Sequence, residues 1–186
     1  YTIMKKVLLI GDSIRLNYMP MVCRLMQDKA EITGPADNCR FAKYTLFYIN
    51  EWIKLFGTPD IIHFNNGLWD VSHSDRTTGC LTSINEYTRD LSLTLKEMRK
   101  TGADVIFATS TPVRAGNPTF DNADIITYNS AALALMESEG IEINDLFSFV
   151  DGHAEEFIDE HDLTHLNKEG IKAVGSKVAE VISRHL

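Results

Sequence analysis

Cysteine, positive charge and long apolar runs are all scarce in this chain, and each scarcity excludes something. The three cysteines, Cys23, Cys39 and Cys80, form neither a CxxC pair nor an even-numbered framework. At most one disulfide can form, and a reducing, cytoplasmic compartment is favoured. A leader removed ahead of Tyr1 would instead make the protein secreted or periplasmic. Lys and Arg total 18 against 26 for Asp and Glu, a formal net charge of -8, with no basic stripe on which a phosphate backbone could lie. Nucleic acid is thereby excluded as an expected partner. The first apolar run, ending at Ile10, is cut by Gly11-Asp12-Ser13 far short of a membrane span, so no stable membrane insertion is expected. No internal repeat, low-complexity tract or linker divides the chain, and its 186 residues read as a single domain, 1–186. Phosphate-loop and HExxH spacings are also missing, and His153, His161 and His165 carry no metal-ligand pattern, so neither a metal nor an organic cofactor is expected. Composition sets no oligomeric state.

What remains is the balance of a folded globular domain, 44% hydrophobic and 24% charged. Short apolar runs at 6–10, 30–33, 60–64, 105–108 and 141–143 alternate with helical periodicity at 18–27, 45–56, 83–100, 124–138 and 168–183. Ser83 and Glu86 have capping-box spacing at the start of one of these helices. Repeated βα units predict a mostly parallel sheet covered by helices on both faces. The loops after Ile10, Phe64 and Ala108, and the loop before the last helix, then gather at the carboxyl edge, where such sheets bind ligands.

Two segments on that edge carry chemistry. Gly11-Asp12-Ser13 places a hydroxyl at a strand-to-helix junction, near backbone N–H groups able to stabilise an oxyanion. Taken alone, Ser13 reads more readily as a helix cap or turn residue, and Asp12 as a turn or capping side chain. Asp162-Leu163-Thr164-His165 offers an imidazole to take the serine proton and a carboxylate to fix its tautomer. His63, in the third strand, reads as a satisfied buried histidine and not as a base.

These blocks together resemble the SGNH, or GDSL, hydrolase superfamily. Gly11-Asp12-Ser13 is similar to its first block, and the DxxH of its last block stands within DLTHLNKEG. The resemblance spans essentially the whole chain and implies a three-layer α/β/α sandwich with a flavodoxin-like sheet, with Ser13 as nucleophile, His165 as general base and Asp162 orienting it. It implies a small-molecule ester as substrate, such as an O-acetylated sugar or another short-chain acyl ester, and no cofactor.

The middle blocks depart from the family pattern. Where the family has a glycine whose amide enters the oxyanion hole, the chain has Asn38-Cys39-Arg40. The amide of Cys39 or of Arg40 would join that of Ser13; alternatively the segment is an Asx turn with Arg40 at the surface. In place of GxND stands Gly67-Leu68-Trp69-Asp70, with Trp69 where an asparagine is usual. Asn66, or less favourably Asn65, would supply the missing side-chain donor. Trp69 reads either as a substrate contact or as a lid over the core, and Arg114 as a contact to substrate oxygens or a solvated loop residue. The irregular blocks keep a second function open, a catalytically weakened binding protein on the same fold.

Overall fold

The computed structural model describes residues 4–73 and 77–186. Five strands, β1 (Lys5–Ile10), β2 (Ala30–Thr33), β3 (Ile61–Phe64), β4 (Asp104–Ala108) and β5 (Glu142–Asn144), form one sheet in the order β2-β1-β3-β4-β5. All four pairings are parallel, with Val7 opposite both Ile32 and Ile61, and Ile62 opposite Val105. Parallel strands need crossovers, which are supplied by α1 (Ser13–Met26), α2 (Ala42–Phe56), α3 (Ile84–Arg99) and α4 (Asn122–Ser138). Beyond β5 come α5 (Leu146–Asp151), α6 (Ala154–Phe157) and α7 (Lys168–Ser183). Helix α1 packs on α7, α2 on α3 and α3 on α4, giving a three-layer α/β/α sandwich.

The two-sided burial of the sheet explains its composition. Val7, Leu9, Ile10, Ile61, Ile62, Phe64, Ile106 and Phe107 have no solvent exposure, so the central strands are continuous apolar runs and not alternating ones. His63 is fully buried in β3, as expected, and its Nε2 lies 3.0 Å from the Asn144 amide nitrogen. The α1–α7 seam is close enough that a Cβ on Gly175 would stand 2.7 Å from Met21 Cβ. Among the described residues no helix is long and apolar enough to cross a membrane. The three thiols are unpaired.

Differences from the sequence expectations lie at element ends. Helix α1 begins at Ser13 and not at Tyr18, because Asp12 caps it and because Arg15 and Asn17, polar residues that break the apolar periodicity, make internal contacts. Helix α2 begins at Ala42, three residues before Thr45, on a cap from elsewhere in the chain: both carboxylate oxygens of Asp70 lie within 3.2 Å of the Ala42 nitrogen. Asp121 accepts the Ala123 N–H and starts α4 two residues early. The Ser83–Glu86 box is formed reciprocally. The short α5 and α6 have no counterpart in the periodicity, since helices of six and four residues are shorter than two turns.

Candidate active site

Ser13 is the first residue of α1 and follows β1 by two residues. Asp12 turns the chain there, its Oδ1 accepting the Ile14 N–H at 2.9 Å. Asp12 is completely buried, and this burial pushes its carboxyl up to about 6 against the opposing pull of the Ile14 N–H and the Arg15 charge. A side chain spent on the cap and sealed from solvent acts on the backbone and not on a reacting molecule.

The DxxH segment arrives from the other end of the chain. His165 Nε2 lies 2.8 Å from Ser13 Oγ, and His165 Nδ1 lies 2.7 Å from Asp162 Oδ2. The other carboxylate oxygen of Asp162 accepts the N–H groups of Thr164 and His165, each at 2.8 Å. Partial burial works to raise the Asp162 carboxyl, but these two amides and the imidazole outweigh it and hold the group below its ordinary range. A carboxylate fixed by three donors keeps one imidazole tautomer, with Nδ1–H toward Asp162 and a lone pair on Nε2 toward Ser13.

The turn itself is locked from behind. Leu163 adopts φ +61, an unfavourable left-handed conformation for a leucine. Its carbonyl accepts the Arg114 N–H and the Asn117 side-chain amide, each at 3.0 Å, and Asn117 also donates to Thr164 Oγ1 at 2.8 Å. Asn117 was not singled out from the sequence; only the apposition of two loops far apart in the chain reveals it. The role expected of Arg114 needs correction: its guanidinium donates to the Ile158 carbonyl and pairs with Glu155, behind the turn, instead of reaching toward substrate oxygens.

Ser13, Asp162 and His165 open onto a cleft of about 360 Å³, lined also by Asn38, Leu68, Trp69, Phe120 and Thr164. That volume is in the range of small-molecule sites. Trp69 is 36% exposed and forms part of the wall, and its ring lies 6.5 Å from that of Phe41. Gly67, just before it, has φ +151, and a Cβ there would collide with Ser110 Oγ, so the chain turns into the wall only with glycine at this place. The buried Asp70 carboxyl, pushed up to about 7 chiefly by desolvation, ends this turn by capping α2.

Several expected oxyanion donors are already engaged. The Cys39 N–H donates to the Gly11 carbonyl at 3.1 Å, and the residue has no exposure, which removes it from any hole. The Arg40 N–H donates to Asn38 Oδ1 at 2.8 Å; Arg40 does take φ +51, the conformation that favours the family's glycine. Asn66 is fully buried and donates its side-chain amide to the Arg40 carbonyl at 3.0 Å, so it braces the Asn38–Arg40 turn from beneath instead of facing the cleft. Asn65, expected as the alternative donor or as a substrate contact, is likewise engaged: its amide holds the Ala108 carbonyl at 2.9 Å, joining the ends of β3 and β4. Two donors remain at the cleft. No partner takes the Ser13 N–H among the described residues, and Asn38, whose Oδ1 is fixed by the Arg40 N–H, lines the cleft with no partner for its side-chain amide nitrogen among those residues.

Arg15 gives no sign of its role in the sequence, because most of the carbonyls that bury it lie on another loop. It is 1% exposed, and its guanidinium donates to the carbonyls of Pro35 at 2.7 Å, Asp37 at 2.8 Å and Gly11 at 3.3 Å. One planar fork thus ties the loop carrying Asn38 to the Gly11-Asp12-Ser13 turn.

No protein-family model matches the chain, and no curated protein matches it in sequence. Solved structures do match. A lipase/acylhydrolase from Enterococcus faecalis superposes with a TM-score of 0.85 at 18% identity, over 98% of this chain and 97% of the other. An acetyl xylan esterase gives 0.80 at 19% identity, over 95% of this chain and 99% of its own. A GDSL-like lipase from Bacteroides thetaiotaomicron gives 0.73 at 15% identity, over 98% and 89% respectively. At such low identity the likeness speaks for architecture alone, and the architecture of this chain is the SGNH/GDSL hydrolase fold.

Proposed function

We propose that the protein is a serine-dependent carboxylic ester hydrolase acting through an acyl-enzyme. The observation that carries this reading is the unbroken line Asp162–His165–Ser13, with contacts of 2.7 and 2.8 Å, opening onto the cleft. His165 Nε2 takes the Ser13 proton as Oγ attacks the ester carbonyl, and Asp162 stabilises the imidazolium that forms. We assign the oxyanion to the Ser13 N–H and the Asn38 side-chain amide, because both residues line the cleft, and a contact of this kind is worth about 3 kcal/mol per donor. On collapse, the imidazolium gives its proton to the leaving alcohol. Water then enters, loses a proton to His165 and attacks the acyl-serine carbonyl, and the carboxylic acid leaves as Ser13 recovers its proton.

The wall of Leu68, Trp69 and Phe120 favours a small acyl group and an apolar ring face, so an O-acetylated carbohydrate, or another short-chain acyl ester, is the substrate class we assign. The fold it shares with acetyl xylan esterases agrees with that choice. A second reading, a weakened enzyme that binds such esters, draws on the engagement of the Cys39 and Arg40 amides. A fluorophosphonate probe and a product-resolved screen of acetylated xylo-oligosaccharides beside short-chain esters separate the two. Hydrolysis is expected to release stoichiometric acetate, and the probe to label the native chain but not Ser13→Ala. Binding of the sugars without acetate release or labelling would establish the second reading.

A further inference from the structure

A second group of reactive side chains lies outside the triad. The chain leaving β3 carries His73 and Cys80, seven residues apart, and α4 presents Asp124 in its first turn. His73 Nε2 lies 3.0 Å from Asp124 Oδ2 and 3.9 Å from Cys80 Sγ, and the three atoms all fall within 4.8 Å of one another. All three residues are partly buried, with the Asp124 side chain still 38% exposed, so the point they surround is reachable from solvent.

The geometry distinguishes two chemistries. A cysteine–histidine–aspartate relay needs the thiol at one ring nitrogen and the carboxylate at the other, so that a proton taken from sulfur is balanced across the ring. Here Cys80 and Asp124 meet the same nitrogen, Nε2. Three donors converging on one point are the arrangement of a coordination shell. Ligand atoms around a tetrahedral zinc stand roughly 3.3 to 3.7 Å apart, given bonds of about 2.0 to 2.3 Å. The separations of 3.0 and 3.9 Å lie on either side of that span and the third, Cys80 Sγ to Asp124 Oδ2, is within 4.8 Å, so binding has to draw the three side chains together by rotation.

We propose that His73 Nε2, Cys80 Sγ and Asp124 Oδ2 bind a divalent zinc-class cation, with water as the fourth ligand. One sulfur, one nitrogen and one carboxylate oxygen suit zinc and its close analogue cobalt(II), and a thiolate disfavours magnesium and calcium. Binding releases the Cys80 proton to solvent and leaves the ring of His73 neutral. The cation pins the excursion after β3 onto the start of α4. These segments already meet where the Tyr128 hydroxyl donates to the Thr82 carbonyl. The excursion also bears Leu68 and Trp69 of the cleft, so the site steadies the substrate wall without touching the reacting atoms. Spacing along the sequence gives no sign of it, since Asp124 stands 51 residues from His73.

The test uses the whole chain stripped with chelator and titrated with zinc chloride or cobalt(II) chloride, with binding followed by calorimetry and by the thiolate-to-cobalt charge-transfer band. We expect one equivalent per chain, a near-ultraviolet thiolate band, and a rise in Tm of about 5 to 10 °C at a hundredfold excess of zinc over Kd. Cys80→Ser should lose the band while Cys23→Ser keeps it. His73→Ala and Asp124→Asn should bind about tenfold more weakly or worse. Should Cys80→Ser fail to fold, Asp124→Asn decides, because that side chain is half-exposed on a helical turn. No uptake, a cobalt complex without a thiolate band, or undiminished binding by Asp124→Asn would overturn the three-ligand site.

Discussion

The Nε2 atom of His165 lies 2.8 Å from the Oγ of Ser13, although 152 residues of chain separate them. Asp162 completes the line from the far side of the imidazole, and its second oxygen holds the backbone of the same turn.

That double duty makes Asp162 separable from His165 by kinetics. Asp162→Asn keeps the shape and an acceptor for the turn amides, but no longer fixes the tautomer or stabilises the imidazolium. Acylation should slow by about 10³- to 10⁴-fold with little change in fold. His165→Ala, which removes the proton acceptor, should be at least as damaging. Single-turnover acylation on the folded variants is the measurement; a near-parental rate for Asp162→Asn would reduce the site to a serine–histidine dyad.

Asn38 and Asn66 should part company in the same manner. Asn38 lines the cleft, whereas Asn66 is sealed beneath the turn and bonded to the Arg40 carbonyl. Asn38→Ala should cut kcat by about 10²-fold with KM little changed. Asn66→Ala should instead lower stability by about 1 to 3 kcal/mol, from an unsatisfied buried carbonyl and a small cavity. Steady-state kinetics beside urea unfolding reads both, and a kcat loss confined to Asn66→Ala would return the oxyanion contact to that residue.

Arg15 should be intolerant even of lysine. Its guanidinium reaches the carbonyls of Pro35, Asp37 and Gly11 at once, a geometry a single ammonium on a flexible stem does not reproduce. Arg15→Lys should destabilise the fold by about 3 kcal/mol and lower kcat by loosening the turn that carries Asn38. Equilibrium unfolding and kinetics on the same preparation check it; parental stability and rate would show that the clamp is dispensable.

Acid should weaken the fold through His63. Burial pushes its imidazole down to about 4, while in the unfolded chain a histidine titrates near 6.5. Between those values the unfolded chain binds the extra proton, so stability is fully present above about pH 6.5 and falls by about 3 kcal/mol as pH drops through about 4. His63→Gln, which can still accept from Asn144, should flatten that part of the curve. Urea midpoints for parent and variant across this interval give the difference, and identical slopes would mean that another group governs acid unfolding.

The local signals of this chain were legible because they are made by neighbours in sequence. The Gly11-Asp12-Ser13 turn follows an apolar strand directly, the Ser83–Glu86 box closes within one helical turn, and Asp162 reaches His165 within the loop that carries both. From such pieces the alternation of strand and helix, and so the parallel sheet, could be read. Other features depended on partners that no spacing announces. Helix α2 starts where it does because Asp70, 28 residues on, receives the Ala42 N–H. Arg15 is buried because three carbonyls on two loops converge around it. The Cys39 amide is closed to substrate by the Gly11 carbonyl, and Asn66, expected as an oxyanion donor, gives its side-chain amide to the Arg40 carbonyl and braces that turn from below. Sequence periodicity determines which residues must face a core. Which polar groups satisfy one another, and therefore which are left free for a substrate or a cation, is decided only when distant loops pack, because a buried donor takes the acceptor nearest in space.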